Sequence, residues 1–288
     1  MKKIWLDTDI GSDIDDCFAL SYLLRQKEAE IAAITTCTGD AHLRASLAHE
    51  ICRTEGKEPP IYVGYNIPLT PDPKPHQRHL TALQQAVAEK SKPFSPQENY
   101  MEAIRRLIEE HPHQITLAAI GPMSNPAALF KKYPHLPALL EGAVLMCGRY
   151  GPCDDARWGA TEWNVVCDPE AAATVFAQEI PNCLVLGVEQ TCRIFKDPKK
   201  TKEAFASIPP VRDSVYPTAD AVWFHDALAV AVLFERMGRW EQGTVTIQGT
   251  ATPFTPDPHG RHSLLRDFCP AEFFAHYQRV TGLKLPQK

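Results

Sequence analysis

Residues 6–16 read Leu-Asp-Thr-Asp-Ile-Gly-Ser-Asp-Ile-Asp-Asp and place five carboxylates within ten residues, directly behind a short apolar run. The run at 3–6, Lys-Ile-Trp-Leu, predicts a first strand. Mostly apolar side chains then recur at spacings of three and four from Ile14 to Leu24, which predicts a helix. The acidic run therefore lies on a strand-to-helix turn. In open parallel α/β sheets that turn is at the carboxyl end of the strand, where ligands bind.

The rest of the chain alternates short β-rich runs with helical patterns. Candidate buried strands are residues 31–36, 61–63, 115–120, 143–146 and 183–188, followed late in the chain by 244–247 and a terminal helix at 270–280. This alternation predicts an α/β fold with an open, mainly parallel central sheet covered by helices on both faces. We expect one domain over residues 1–288, because a chain of this length that is 44% hydrophobic can bury a large core.

Composition excludes several functional classes. A net charge of -5 gives no basic surface for nucleic acid, and no run approaches the roughly 18 apolar residues that span a membrane. Nine cysteines without a CxxC pair indicate reduced, mostly buried thiols. The N-terminus becomes acidic by Asp7, before a signal-peptide apolar region could form, so we expect a cytoplasmic protein with a small-molecule ligand.

Two regions are rich in proline and could border a site. The stretch 68–75, followed by residues 76–79, is the best candidate for a long mobile loop, because proline lacks the N–H that a sheet requires. A second proline-punctuated region covers residues 209–217.

The crowded carboxylates suggest a metal site. Like charges a few Å apart either take up protons or share a cation. Asp9 near the strand end and Asp16 in the first helical turn can converge on one ion, and oxygen-only ligation favours Ca²⁺ or Mg²⁺ over zinc. The alternative is that Asp13 and Asp15 cap the helix, which would explain two of the five.

Two known loop motifs fit this run incompletely. An EF-hand loop needs glycine at its sixth position and glutamate at its twelfth, where this chain has Ser12 and Phe18. A haloacid-dehalogenase-like phosphatase begins with strand-Asp-x-Asp, which residues 7–9 satisfy with Asp7 as nucleophile, but its motif continues differently at Gly11. A Mg²⁺-dependent aspartyl phosphatase therefore remains an alternative.

Four ordered blocks carry a closer resemblance. They are Asp-Thr-Asp-x-Gly-x-Asp-x-Asp-Asp at 7–16, Gly-Pro-Met-Ser-Asn at 121–125, Thr-Glu-Trp-Asn at 161–164 with Asp-Pro-Glu-Ala-Ala at 168–172, and Phe-His-Asp-Ala at 224–227. Together they resemble the signatures of the inosine-uridine nucleoside hydrolase family. The resemblance implies Ca²⁺-dependent hydrolysis of a ribonucleoside to ribose and a free base, on a nucleoside hydrolase-like fold, in a homodimer or homotetramer.

The resemblance also implies roles for the acidic residues. Asp9, Asp16 and Asp226 would supply carboxylate oxygens to Ca²⁺, and Ser124 would supply a backbone carbonyl. Asp9 would be the general base for the attacking water. Asp15 would bind ribose hydroxyls.

Further positions would surround the sugar and the base. Glu162 and Asn164, on one side of an expected extended segment, would bind the ribose and face its developing positive charge. His225, expected in an apolar helix, would be an acid or hydrogen-bond donor to the departing base. Three aromatic residues could contact the base, although core packing is the better prediction for them: Tyr216, Trp223 and Phe224.

The chain also departs from the family pattern. Residues 12–14 include a two-residue insertion that leaves Asp13 without an assured role, and Asp40 replaces an asparagine, so a negative group would alter the substrate site. Residues 153–159 take the place of a Gly-Asn pair expected before Glu162, and Arg157 and Trp158 within them either contact the leaving group or a sugar substituent, or fill space. The preferred base therefore stays open, and so does a non-catalytic ribose- or nucleoside-binding protein.

Overall fold

The centre of the protein is a nine-stranded sheet. The structure is a computed structural model that describes residues 1–71, 80–90, 94–97, 99–153, 157–216 and 219–286. The strands are β1 (Lys2–Thr8), β2 (Ala29–Thr36), β3 (Ile61–Val63), β4 (Ile115–Ala119), β5 (Gly142–Met146), β6 (Cys183–Leu186), β7 (Phe195–Lys196), β8 (Val222–Trp223), β9 (Arg239–Val245), β10 (Phe254–Pro256) and β11 (His262–Asp267). The sheet order is β10-β9-β11-β6-β5-β4-β1-β2-β3, and β7 pairs with β8 in a separate antiparallel ribbon.

Helices connect the strands. They are α1 (Asp15–Arg25), α2 (Ala41–Thr54), α3 (Ala82–Glu89), α4 (Tyr100–Glu110), α5 (Ser124–Lys132), α6 (Trp163–Cys167), α7 (Pro169–Phe176), α8 (Val188–Thr191), α9 (Pro198–Ala204), α10 (Pro209–Ser214), α11 (His225–Ala231) and α12 (Pro270–Thr281), with a 3₁₀ turn at Pro137–Leu139. In the order of the sheet, each pair of neighbouring strands from β11 to β3 is parallel. Only β9 runs antiparallel to its two partners, β10 and β11. The mainly parallel α/β fold predicted from the sequence is confirmed.

Alternation along β1 shows how the sheet divides two hydrophobic cores. Ile4 and Leu6 pack into a core shared with α1, α2, α11 and α12, whereas Trp5 points into the opposite core with α4, α5 and α7. Successive strand side chains point to opposite faces, so a strand buried on both sides must be apolar throughout. Phe18 of α1 stacks on Phe224 with ring centroids 4.3 Å apart. Helices therefore cover both faces, as predicted.

Most predicted strand positions are confirmed, with local differences. Residues 187–188 leave the sheet because Val188 begins α8, and β9 occupies 239–245 rather than 244–247. Part of the second proline-rich region forms α10. Proline is compatible with the first helical turn, where the missing N–H has no intrahelical partner. Residues 72–79 of the first proline-rich stretch lie outside the described residues.

Chain-level expectations have mixed outcomes. Seven of the nine cysteines are buried, as their apolar context indicates. The sheet takes strands from residue 2 to residue 267, while the single-domain assignment stays a prediction. None of the described helices combines the length and apolar character that crossing a bilayer requires.

A buried histidine joins the late strands. His262 in β11 is 1% exposed, and its Nδ1 accepts a hydrogen bond of 3.0 Å from the backbone N–H of Val245 in β9. The ring of Phe176 packs edge-on at 5.3 Å. Burial lowers the pKa of His262 from 6.5 to about 4, because the charged imidazolium is poorly solvated there.

Acidification should therefore weaken the fold at this position. The neutral imidazole stabilises the folded state fully above pH 6.5, and that contribution is lost as the pH falls towards 4. Between pH 7 and 5 we expect the free energy of unfolding to fall by about 2 kcal/mol more in the wild type than in His262→Asn, which keeps an acceptor but does not titrate. Urea unfolding at several pH values measures this difference. Parallel pH dependences in the two proteins would contradict the assignment.

Candidate functional site

A cavity of about 340 Å³ opens at the carboxyl edge of the central strands. It lies where β1 has β2 on one side and β4 on the other, the switch point at which open α/β sheets bind ligands. The segments after β1, β4, β5 and β6 and the starts of α1, α6 and α11 contribute its wall. The lining residues are Asp9, Gly11, Ser12, Asp13, Asp15, Asp16, Ile120, Met146, Arg157, Trp158, Gly159, Thr161, Glu162, Trp163, Asn164, Val166, Val188, His225 and Asp226.

Three carboxylates converge in this cavity. Asp15, Asp16 and Asp226 each offer an oxygen, and the three oxygens lie within 4.8 Å of one another. Burial, followed by repulsion from neighbouring aspartates, raises the pKa of Asp15 to about 7 and those of Asp16 and Asp226 well above the usual range. The Thr8 hydroxyl donates to Asp16. Such a concentration of negative charge has the oxygen chemistry of a hard-cation site.

Asp9 lines the same cavity beside this trio. Its negative charge contributes to the raised pKa of Asp15, Asp16 and Asp226. A Cβ at Gly121 would lie 2.9 Å from the Asp9 backbone nitrogen and 3.1 Å from its Oδ1. Only glycine therefore allows the turn after β4 to approach the end of β1 so closely.

Arg44 of α2 holds the acidic loop and was missed by the sequence analysis. Its guanidinium is fully buried, and Nη1 donates to the backbone carbonyls of Asp9, Ile10 and Gly11, while Nε donates to that of Thr38 at 2.8 Å. Nη2 also donates to the Ser12 hydroxyl at 3.2 Å, so the guanidinium shapes the loop around the carboxylates. The sequence signal that could have identified Arg44 is its position among the apolar residues on one side of the helix.

The inserted residues are held in place by a second helix. Ser12 has a positive φ of 75°, and its N–H donates to Oε1 of Gln84 in α3 at 2.8 Å, while Gln84 Nε2 donates to the Asp13 carbonyl at 3.2 Å. Neither Asp13 nor Asp15 occupies the N-cap of α1, although Asp15 lies in the first turn, where the helix dipole favours a carboxylate. Ile14 occupies the N-cap without a side-chain capping bond. Asp13 is exposed at the cavity.

Glu162 is a helix cap as well as a cavity residue. It was expected in an extended segment with Asn164, but it occupies the N-cap of α6 and Asn164 lies in the first turn. Its carboxylate accepts N–H bonds from Asn164 at 2.7 Å, Gly148 at 2.9 Å and Val165 at 3.2 Å. Burial still raises the pKa of Glu162 to about 7, since these bonds only partly offset desolvation.

Asn164 is fixed by the ends of two strands. Its Nδ2 donates to the carbonyls of Ile120, just beyond β4, at 3.0 Å and of Met146, at the end of β5, at 2.9 Å. Because both partners are acceptors, the amide orientation is determined. The side-chain oxygen is then the atom available to the cavity.

His225 begins α11. The residues before it were expected to be helical, but they are not. Val222–Trp223 form β8, and Phe224 is the N-cap of α11. The Nδ1 atom of His225 lies 2.7 Å from the Thr191 hydroxyl. Within the described part of the chain, no hydrogen-bond partner reaches its buried Nε2. Burial lowers the pKa of His225 to about 3, which keeps the imidazole neutral.

The three aromatic candidates have different environments. Phe224 is fully buried in the core, as the core-packing prediction requires. Trp223 is half-buried and contacts the cavity residue Trp158 edge-on, with ring centroids 5.4 Å apart. Tyr216 is 40% exposed, so core packing is wrong for it, and it does not appear among the described residues that line the cavity.

Two other predicted residues lie outside the described cavity lining. Ser124 begins α5, and its hydroxyl donates to Asp168 at 2.6 Å, so its role as a carbonyl ligand stays a prediction. Asp40 is exposed and caps α2 by accepting from the Leu43 N–H at 2.9 Å. Its substrate-binding role also stays a prediction, without a supporting contact.

Asp7, the nucleophile of the phosphatase alternative, is enclosed. It is fully buried and accepts hydrogen bonds from the Thr35 hydroxyl at 2.6 Å and Asn125 Nδ2 at 2.8 Å. Burial raises its pKa to about 7. Because Asp7 faces these partners and is absent from the described cavity lining, it lacks the access that a nucleophile requires.

The chain is similar to known proteins in sequence and in fold. The family model for inosine-uridine preferring nucleoside hydrolases matches residues 4–263. The non-specific ribonucleoside hydrolase RihC of Escherichia fergusonii is 31% identical over 186 residues, which cover 62% of this chain but only 58% of that protein.

Solved structures show the same fold. A purine-preferring ribonucleoside hydrolase from Gardnerella vaginalis superposes with a TM-score of 0.82 at 22% identity, covering 98% of both chains. The plant nucleoside hydrolase PpNRh1 gives 0.79 at 20% identity, covering 97% of this chain and 99% of that one. Because the family model matches nearly the whole length, the chain belongs to the inosine-uridine preferring nucleoside hydrolase family.

Proposed function

We propose that the protein is a Ca²⁺-dependent N-ribohydrolase that cleaves a ribonucleoside into ribose and a free base. Family membership supports the reaction class. The observation that carries the proposal is the convergence of Asp15, Asp16 and Asp226 in one cavity with Glu162 and Asn164. A cavity of about 340 Å³ is also within the size range of small-molecule sites.

The donor set fits a hard divalent cation. Asp15, Asp16 and Asp226 place three carboxylate oxygens within 4.8 Å of one another, and Asp9 adds further negative charge. The buried guanidinium of Arg44 is bonded to backbone carbonyls. Asp9, Asp16 and Asp226 would hold Ca²⁺, with Asp15 beside them, and this all-oxygen chemistry suits the ion. When bound, the ion supplies a water of lowered pKa and sites for sugar hydroxyls.

Asp9 is the proposed general base. It lies at the end of β1, beside the carboxylate trio, and lines the cavity. Its carboxylate takes the proton of the attacking water as the hydroxyl adds to C1′ of the ribose. Asp15 belongs to the same trio, so its proposed contact with the ribose hydroxyls would lie beside the metal ligands.

Glu162 and Asn164 are the proposed partners of the ribose. Loss of the base leaves positive charge on the sugar ring, which carboxylate and amide oxygens stabilise. The amide of Asn164 is already oriented by two strand-end carbonyls, and Glu162 is held by three backbone N–H groups. Both groups therefore need little reorganisation during the reaction.

His225 is proposed to assist the departing base. The glycosidic electrons pass to a base nitrogen, which gains negative charge as the bond breaks. A neutral imidazole can donate a hydrogen bond from Nε2 when Nδ1 accepts from the Thr191 hydroxyl. The low pKa of His225, about 3, favours this donor role over that of a charged acid. A homodimer or homotetramer stays a prediction from the family resemblance.

Sugar release tests the reaction and the base. We expect the wild type to release reducing sugar from members of a ribonucleoside panel and to lose this activity with a chelator. Asp9→Ala should lower kcat/KM at least about 100-fold, because the water loses its proton acceptor. Glu110→Ala, an exposed acid in α4, is the matched control and should retain activity.

The outcomes separate the alternatives. Undiminished turnover in Asp9→Ala would exclude that residue as the base. Nucleoside binding without base release across the panel would instead support a non-catalytic binding protein.

Thermal melting tests the metal ligands without measuring turnover. Ca²⁺ should raise the Tm of the wild type, because the cation offsets repulsion among buried carboxylates. Asp226→Asn should melt no lower than the wild type in chelator, yet gain much less from Ca²⁺. Glu110→Gln is the control and should show the wild-type gain. A full Ca²⁺ response in Asp226→Asn would show that the trio does not hold the ion.

A further inference from the structure

Two residues that line the cavity each carry a buried ring nitrogen without a hydrogen-bond partner among the described residues. The indole Nε1 of Trp158 is buried, as is Nε2 of His225, and no hydrogen-bond partner reaches either atom within the described residues. The two rings pack edge to face, with centroids 4.8 Å apart and planes at 79°. An unsatisfied buried donor costs about 1–3 kcal/mol. Two such atoms, on adjacent rings of residues that line the cavity, indicate a ligand that pairs with them.

The surrounding structure fixes the position of Trp158. Arg149 Nη1 donates to the Trp158 carbonyl at 3.0 Å, and Arg149 Nε donates to the Gly151 carbonyl at 3.0 Å. Arg149 is itself held by Thr252, whose hydroxyl bonds both its N–H and its carbonyl. The Trp223 ring meets the indole edge-on at 5.4 Å. The indole N–H is therefore preorganised.

Charge determines which part of a nucleoside suits these atoms. Asp9 and Glu162 line the same cavity and suit a sugar that becomes positive during bond cleavage. The base becomes negative at the same time, so it benefits from hydrogen-bond donors. An indole N–H only donates, and His225 Nε2 also donates when Nδ1 accepts from Thr191. The pair is matched to the leaving base.

We propose that Trp158 is a specificity-determining residue whose Nε1–H donates to an acceptor atom of the leaving nucleobase, beside His225. The inference rests on the proposed N-ribohydrolase function and assigns the base end of its site. The ligand class is a heteroaromatic base with a ring-nitrogen or carbonyl acceptor.

Trp158→Phe removes the donor and keeps an aromatic ring. We expect kcat/KM for ribonucleosides to fall roughly tenfold, the loss of one hydrogen bond. For p-nitrophenyl β-D-ribofuranoside the change should stay below about threefold, because p-nitrophenolate leaves without such a donor. The free base should also bind more weakly in calorimetry. Trp240→Phe is the matched control, since its Nε1 bonds the Met237 carbonyl outside the described cavity lining.

Each other result overturns the assignment. An equal loss of kcat/KM on both substrates would mean that the indole N–H contacts the ribose or that the ring only packs. An unchanged kcat/KM would mean that the N–H does not contact the substrate. A wild type that is inactive on every ribonucleoside would overturn the proposed function itself, before any variant is compared. If Trp158→Phe fails to fold by circular dichroism, site-specific β-(3-benzothienyl)alanine at position 158 removes the N–H while keeping the indole shape, and the same expectations apply.

Discussion

Repulsion among buried carboxylates is the constraint on which the rest of the site depends. Asp15, Asp16 and Asp226 cannot be ionised together at such short separations without a compensating positive charge. Arg44 supplies a buried charge nearby, but its donors are directed to the carbonyls of the loop. Arg44 thus holds the loop, and the three carboxylates stay together at the cavity. Their oxygen chemistry suits a hard cation, which would offset the repulsion.

The parallel sheet makes this convergence possible. Asp16 and Asp226 are more than 200 residues apart, yet each begins a helix at the same edge of the sheet. Because parallel strands all end at one edge, every crossover returns the chain there and can add one group. Gly121 and Asn164 show the precision required. One admits the close approach of two strand ends, and the other links two strand-end carbonyls.

The sequence predicted what depends on local pattern. Strand and helix periodicity predicted the α/β fold, and the concentration of like charge in one loop predicted a cation site. It did not predict Arg44, since an arginine in an amphipathic helix usually faces solvent and only tertiary packing reveals its carbonyl partners. Alternation also misplaced Glu162, because a helix cap and an extended residue look alike over two positions. The prediction that Tyr216 packs in the core was wrong for a different reason, because hydrophobicity alone does not determine burial.

The groups proposed to face the sugar and the base come from different kinds of segment. Acidic groups come from strand ends and first helical turns, which the sheet holds rigidly. The neutral ring donors Trp158 and His225 come from a connecting segment and from the start of α11. In the proposed reaction, positive charge would develop on the sugar and be stabilised by the acids, while negative charge would develop on the base and be stabilised by the ring donors. Under this proposal the connecting segment can change its side chains, and with them the preferred base, while the sheet keeps the groups assigned to the sugar.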